Sequence, residues 1–437
     1  MAGLIVAARV IGAPTPASRY NEIAGRMRGD SVAAACADAA RLVTEYPGFF
    51  GGYNLVGLCE TRRGRLEAAN VQFTKSLQLN PGFLDSRVNL ASNLARLGRA
   101  GEAAREFREV LNRAPNHLTA TTNLGALELA RGEPCGAVDP LQRAVTLAPA
   151  DGAVNLSLAE ALLGCGQAPG AWQVLLRTKP ALSSTARWNG LAGETAFRLH
   201  QPKEALGYLR KTLELEPKVE SHWMKMGEFL LANESDQAAA AYFAAGLKEL
   251  PDSPALHVGL AVAELAGGGR TEESLALLEK ALTLEPGFEP ALLALCRAYE
   301  QLRDSLRLSE VALRWQRLNG KRWEPYYFQA VARGGRGEPV NTESIELLKR
   351  AIRLNPRAAE AQIALGKLLL DRNETPSALR AFEAAAQLRP GDAQPHYYLA
   401  QAYRKLGDEG KSAEELEKFK QRKSSEPSWK VFFQVAK

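Results

Sequence analysis

Nine prolines stand on one ruler. Pro47, Pro81, Pro115 and Pro149 are 34 residues apart, Pro217 follows after 68, Pro251 after 34 and Pro286 after 35, and Pro356 and Pro390 come after 70 and 34. The segments between them agree as well. "LGRAGEAAREFREVLNRAP" at 97–115 lies 34 residues after "RGRLEAANVQFTKSLQLNP" at 63–81, with Gly98 on Gly64, Ala103 on Ala69, Phe107 on Phe73 and Pro115 on Pro81. Such a spacing requires internal repetition, and a period of this length specifies small units stacked in a row instead of one closed core.

Each unit has a physical reading. In residues 84–115, Val88, Leu90, Leu94 and Leu97 recur at helical spacing and form the apolar side of a first helix. Gly98 and Gly101 are expected to break it. Ala103, Phe107, Val110 and Leu111 form a second apolar stripe, and Pro115, which has no N–H and no room to continue a helix, ends it. The unit is helix, turn, helix, stop. A lone pair of helices cannot cover its apolar face, so neighbours must stack on it. The pattern loosens in places: Pro180 arrives three residues early, residues 289–320 have no terminal proline in register, and "ARGGRGEPVN" inserts extra turn residues in the unit that starts near Arg322. "AGGGR" at 266–270 reads as a lengthened turn. Roughly eleven or twelve units fit between Tyr20 and about residue 423.

The expected organisation is an N-terminal segment at 1–19, a repeat array at 20–423 and an aromatic tail at 424–437. The start, "MAGLIVAARVIGAPTPA", faintly suggests a signal peptide, but no Lys or Arg precedes the apolar run and Arg9 interrupts it. In the tail, Trp429, Phe432 and Phe433 share one helical face, which suits a cap on the open end of the array or else a partner-binding or membrane-surface helix.

The units resemble the tetratricopeptide repeat, whose pattern runs W-x2-L-G-x2-Y, then A-x3-F, then P over about 34 residues. Residues 50–81 carry Tyr53, Val56, Gly57, Ala69, Phe73 and Pro81 at the signature places; residues 220–251 carry Trp223, Met226, Gly227, Ala239, Phe243 and Pro251. Residues 359–390 offer Leu365, Gly366, Ala378, Phe382, Ala385 and Pro390, and the last unit Leu399, Ala400, Tyr403 and Gly407. The resemblance implies an all-α, right-handed superhelical solenoid of antiparallel helix pairs whose first helices line a concave groove. It also implies a protein-interaction scaffold that binds an extended peptide or a helix of a partner. All signature residues are expected to serve packing.

In that register, positions two, five, six, nine, twelve and thirteen of each first helix would face the groove. Position nine gives Glu160, Glu194 and Glu228; position twelve gives Leu163, Phe197 and Leu231, with Leu129 and Leu265 extending the row. An acidic row beside an apolar one suits a ligand that is basic and apolar by turns. The alternative is a solvated glutamate row beside leucines that pack on the next unit. Family members that clamp a terminal carboxylate use lysine and asparagine on the first helices. Here Asn89 and Asn123 match the asparagine, but Asn54, Val88 and Thr122 stand where the clamp lysine would be, so that clamp is not supported.

The rest of the chain supplies no other chemistry. HExxH, the phosphate loop G-x-x-x-x-G-K-[ST] and the G-x-S-x-G elbow are missing, and fewer than 40 residues lie outside the array, so neither catalysis nor a cofactor is expected. Cys36, Cys59, Cys135, Cys165 and Cys296 are scattered without CxxC or Cys/His spacing, which supports neither a metal site nor a disulfide framework. Cys59 and Cys296 fall at small-residue places of first helices and read as buried substitutes for alanine. The net charge of +6 is too dilute for a nucleic-acid surface, and "KSAEELEKFKQRK" interleaves its lysines with glutamates. No run of 18 apolar residues exists. The expectation is a cytoplasmic scaffold; an exported or envelope-associated assembly factor and an RNA-binding helical-repeat protein are the alternatives.

Overall fold

In the computed structural model, residues 15–422 are described apart from 28, 30, 31, 234, 270 and 336–341. The expected signal-like start (1–14) and the aromatic tail with Trp429, Phe432 and Phe433 lie outside the described residues. Among the described residues the secondary structure is helical throughout, with 24 helices in twelve successive pairs.

The chain forms two compact units, residues 1–211 and 212–437. The first holds α1 (Pro16–Arg26), α2 (Val32–Glu45), α3 (Phe50–Arg62), α4 (Leu66–Leu79), α5 (Leu84–Arg96), α6 (Ala100–Arg113), α7 (Leu118–Ala130), α8 (Pro134–Leu147), α9 (Gly152–Gly164), α10 (Ala168–Leu182) and α11 (Ala186–Arg198), and the boundary falls within α12 (Pro202–Leu215). The second holds α13 (Glu220–Ala232), α14 (Asp236–Glu249), α15 (Pro254–Ala266), α16 (Thr271–Leu284), α17 (Glu289–Gln301), α18 (Ser305–Leu318), α19 (Glu324–Gly335), α20 (Thr342–Leu354), α21 (Ala359–Asp371), α22 (Thr375–Leu388), α23 (Gln394–Lys405) and α24 (Glu409–Arg422). Odd-numbered helices are the first helices of their pairs. Each helix packs on the one before and the one after it within its unit.

Three recurrent devices build the pairs. An aromatic at position four of a first helix ties it to the loop before it: Tyr53 donates to the Pro47 carbonyl at 3.0 Å, Trp223 to that of Pro217 at 2.7 Å and Tyr326 to that of Gly320 at 3.0 Å. A glycine at position eight lets the second helix come close. A Cβ on Gly57 would lie 2.5 Å from the ring of Phe73, sixteen residues on, and Gly366 stands to Phe382 at 2.4 Å in the same relation. The turn between the two helices then passes through the left-handed region, at Gly64, Gly98, Gly132, Gly166, Gly268 and Gly407, and at His200, Arg303 and Asn373 where no glycine is present. The lengthened turn after α15 takes four residues, 267–270, where most others take three.

Two sequence expectations need correction. Gly101 does not break a helix: it lies inside α6, and Gly98 alone makes the turn. The cysteines are not all single. Cys36 in α2 is bonded to Cys59 in α3, and Cys135 in α8 to Cys165 just after α9. In both cases a second helix runs antiparallel to the first helix of the next pair, so a residue near the start of one meets a residue near the end of the other. Linear spacing hides that meeting. Cys59 is thus a bonded cysteine and no stand-in for alanine, while Cys296 is buried and free.

Candidate interaction face on the first helices

Substantial contacts between next-but-one helices all join first helices. They link α1, α3, α5, α7, α9 and α11 in series in the first unit, and α13 to α15, α15 to α17, α17 to α19 and α21 to α23 in the second. First helices therefore stand side by side and share a face, and a residue repeated at one position of every unit becomes a row on that face.

In the first unit the acidic row is already paired. The Glu160 carboxylate accepts from Arg187 of the next first helix at 3.0 Å, and the same guanidinium donates to Ser157 at 3.1 Å. Glu194 lies 3.9 Å from Arg198 on its own helix. Both carboxylates keep partial exposure, so these pairs are exchangeable surface interactions of about 0–1 kcal/mol each. Leu163 is buried in the core between α8 and α11, whereas Phe197, at the same place one unit later, is half-buried. In the second unit Glu228 is exposed and Leu231 fully buried. Position twelve is thus mainly a packing position.

The asparagines belong to a hydrogen-bonded ladder between first helices. Asn54 is buried; its carbonyl oxygen accepts from Asn89 and from Ser86, each at 3.0 Å, and its amide donates to Tyr20 at 3.4 Å. Asn123 donates to Ser92 at 3.4 Å. The ladder replaces water on buried amides and holds α1, α3 and α5 in register.

The second unit has a polar centre that reading along one position missed. Arg297, at position nine of α17, is nearly buried. It donates to Glu300 at 3.1 Å and to Glu360 of α21, 63 residues away, also at 3.1 Å. Its guanidinium lies 5.1 Å above the Phe328 ring and 5.8 Å from that of Tyr327. Tyr327 donates to Glu300 at 3.0 Å, and Arg389 adds a second cation to Glu360 at 3.1 Å. Burial pushes the Tyr327 phenol well up, so it remains a donor; burial also works against the Arg297 charge, but Glu360 and Glu300 outweigh it. Two cations and two carboxylates balance, and the group fastens three first helices to one another. Position nine alone names Arg297; its partners come from other positions and two units on.

Among the described residues no group of three or more His, Cys, Asp or Glu could hold a metal ion, and no helix is long and apolar enough to cross a membrane. A family model described as tetratricopeptide repeat matches residues 88–152, 191–254, 237–291, 341–393 and 363–427. The Arabidopsis thaliana protein named "Protein CTR9 homolog" is 25% identical over 338 residues, which cover 75% of this chain and 25% of that protein, so the match spans a quarter of the relative's length. The crystal structure of yeast Tom70 superposes with a TM-score of 0.51 at 15% identity, covering 96% of this chain and 99% of that one, a likeness of fold.

Proposed function

This chain belongs to the tetratricopeptide repeat family, and on that premise we propose that it is a binding scaffold, without catalysis, that holds an extended peptide or a helix of a partner protein against its first helices. The observation that carries the reading is the side-by-side packing of first helices, which turns one position per unit into a continuous row. In the first unit that row offers Glu160 and Glu194 in exchangeable ion pairs beside the half-buried Phe197, which suits a segment with basic and apolar residues. Exposed ion pairs contribute little, so the larger share of affinity comes from apolar contact. The test is affinity capture from source-cell lysate with wild type against the Glu160→Lys, Glu194→Lys double variant, circular dichroism confirming equal helicity. A partner held by wild type and lost by the variant supports the reading. A partner held equally by both removes the acidic row from it.

A second reading concerns location. The Cys36–Cys59 and Cys135–Cys165 bonds favour an exported or envelope-associated scaffold over the cytoplasmic one, because such bonds persist in oxidising compartments. Alkylation in denaturant before and after reduction decides it. The exported form blocks one thiol without reductant and five with it. Five thiols blocked without reductant in protein taken directly from its cell would return the chain to a reducing compartment.

A further inference from the structure

The apolar row at position twelve is interrupted in two successive helices. Leu129, Leu163, Phe197, Leu231 and Leu265 hold that position at 34-residue intervals, and Leu370 holds it in α21. Leu231 is fully buried, and Leu265 and Leu370 pack on the cores beside them. α17 instead has Glu300 there and α19 has Gly334. Glu300 is engaged by Arg297 and Tyr327, and a Cβ added at Gly334 would meet nothing within 4 Å.

Where these two side chains are missing there is a cavity of about 480 Å³, in the range of sites that enclose organic groups. Ala330, Leu348 and Ala364 supply apolar lining, and α19 and α21 lack the close contact made by the other neighbouring first helices of this unit. Arg303, Lys367 and Asp371 also line it. Because Glu300 is neutralised by Arg297, two cations against one carboxylate leave this opening positive. Arg303 is held there in the left-handed region, a conformation an arginine rarely adopts.

We propose that this cavity receives a leucine-sized apolar side chain of a partner protein, with an acidic residue beside it meeting Lys367 and Arg303. The partner supplies the side chain that α17 and α19 omit. The inference rests on the scaffold reading and names one anchor of the ligand.

Ser305 lines the cavity and has close to the size of cysteine, so Ser305→Cys in the full-length chain places a thiol there without changing charge. The probes are three thiols, mercaptoacetyl-Leu-Asp-amide, mercaptoacetyl-Leu-Lys-amide and mercaptoacetyl-Ser-Asp-amide, offered in competition by disulfide exchange and read by intact mass, with wild type as the background. Leu-Asp is expected to exceed each of the others by about fivefold or more, close to 1 kcal/mol at the tenfold-per-1.4 conversion. Ser184→Cys, on an exposed residue of the other unit, should show no preference. Gly334→Leu, which restores the omitted side chain in open space, should abolish the preference at Ser305→Cys. Equal occupancy by Leu-Asp and either competitor overturns the proposal, as does a preference that survives Gly334→Leu. A preference seen only after Trp429→Ala, Phe432→Ala and Phe433→Ala would assign the cavity to the chain's own tail and overturn it too. The probes need no natural partner, so a failed capture experiment and a failed tethering experiment are separate results.

Discussion

The closeness of first and second helices can be tested with one methyl group. A Cβ on Gly227 of α13 would lie 1.9 Å from Cζ of Phe243, a fully buried ring of α14. Carbon atoms rest at about 3.5–4.0 Å, so alanine at 227 asks the ring to retreat by roughly 1.6–2.1 Å. It has nowhere to go. On its other flank a Cβ on Gly259 of α15 would lie 2.5 Å from the same ring, so that side is also in tight contact. Overpacking of this kind costs about 1–3 kcal/mol, and with both flanks closed the upper end applies. Replacing glycine by alanine inside a helix returns about 1 kcal/mol, so Gly227→Ala should lose about 2 kcal/mol in all. Solenoids unfold by neighbourhoods, which makes hydrogen exchange of α13–α15 a sharper readout than a global midpoint. Gly207→Ala in α12 is the comparator: it gains the same helix propensity in open space and should raise local protection by about 0.5–1 kcal/mol. Unchanged or increased protection of α13–α15 in Gly227→Ala would refute the wedge.

Three further outcomes are expected. Phe107→Ala leaves a cavity among Val88, Leu94, Val110 and Leu124 and should cost about 3–5 kcal/mol; exchange in α5–α7 rises before exchange in α10–α11 does, and a uniform rise would contradict nearest-neighbour stacking. Asn54→Ala removes the acceptor of Ser86 and Asn89 and should cost roughly 1–3 kcal/mol, read by urea denaturation of the first unit; no change would mean water replaces the ladder at no cost. Burial pushes the Glu415 carboxyl up, but hydrogen bonds from His396 at 2.5 Å and Lys418 at 2.7 Å outweigh it and hold the group below the usual range. A lowered pKa in the folded state stabilises above the unfolded value of about 4.3 and is lost as pH falls through the folded one. Exchange in α23 and α24 should therefore accelerate below about pH 4 in wild type and much less in Glu415→Gln; equal acid sensitivity in both would refute the assignment.

The period and the chemistry of each unit were legible from residue spacing, because both depend on neighbours at most a few turns away along the chain. Gly57 with Phe73, and Gly227 with Phe243, recur at one interval because a second helix folds straight back on its first. The site was less legible. Position twelve suggested an exposed apolar row, yet Leu163 and Leu231 are buried, since a groove position can turn toward the adjacent unit when the helices stand close. The pairs Cys36–Cys59 and Cys135–Cys165 escaped notice because they join the end of one unit to the start of the next, a relation the period does not encode.

By itself, then, the sequence determined the repeated helix pair, the turn after each first helix and the stacking that an uncovered apolar face demands, since these follow from hydrophobic period, glycine and proline. Only the tertiary structure decided which charges neutralise one another and where space is left open. Arg297 meets Glu360 across an intervening helix, and the cavity beside Gly334 exists because two units omit what their neighbours provide. Such features arise from differences between repeats, and a difference acquires meaning only when the helices that carry it are brought side by side.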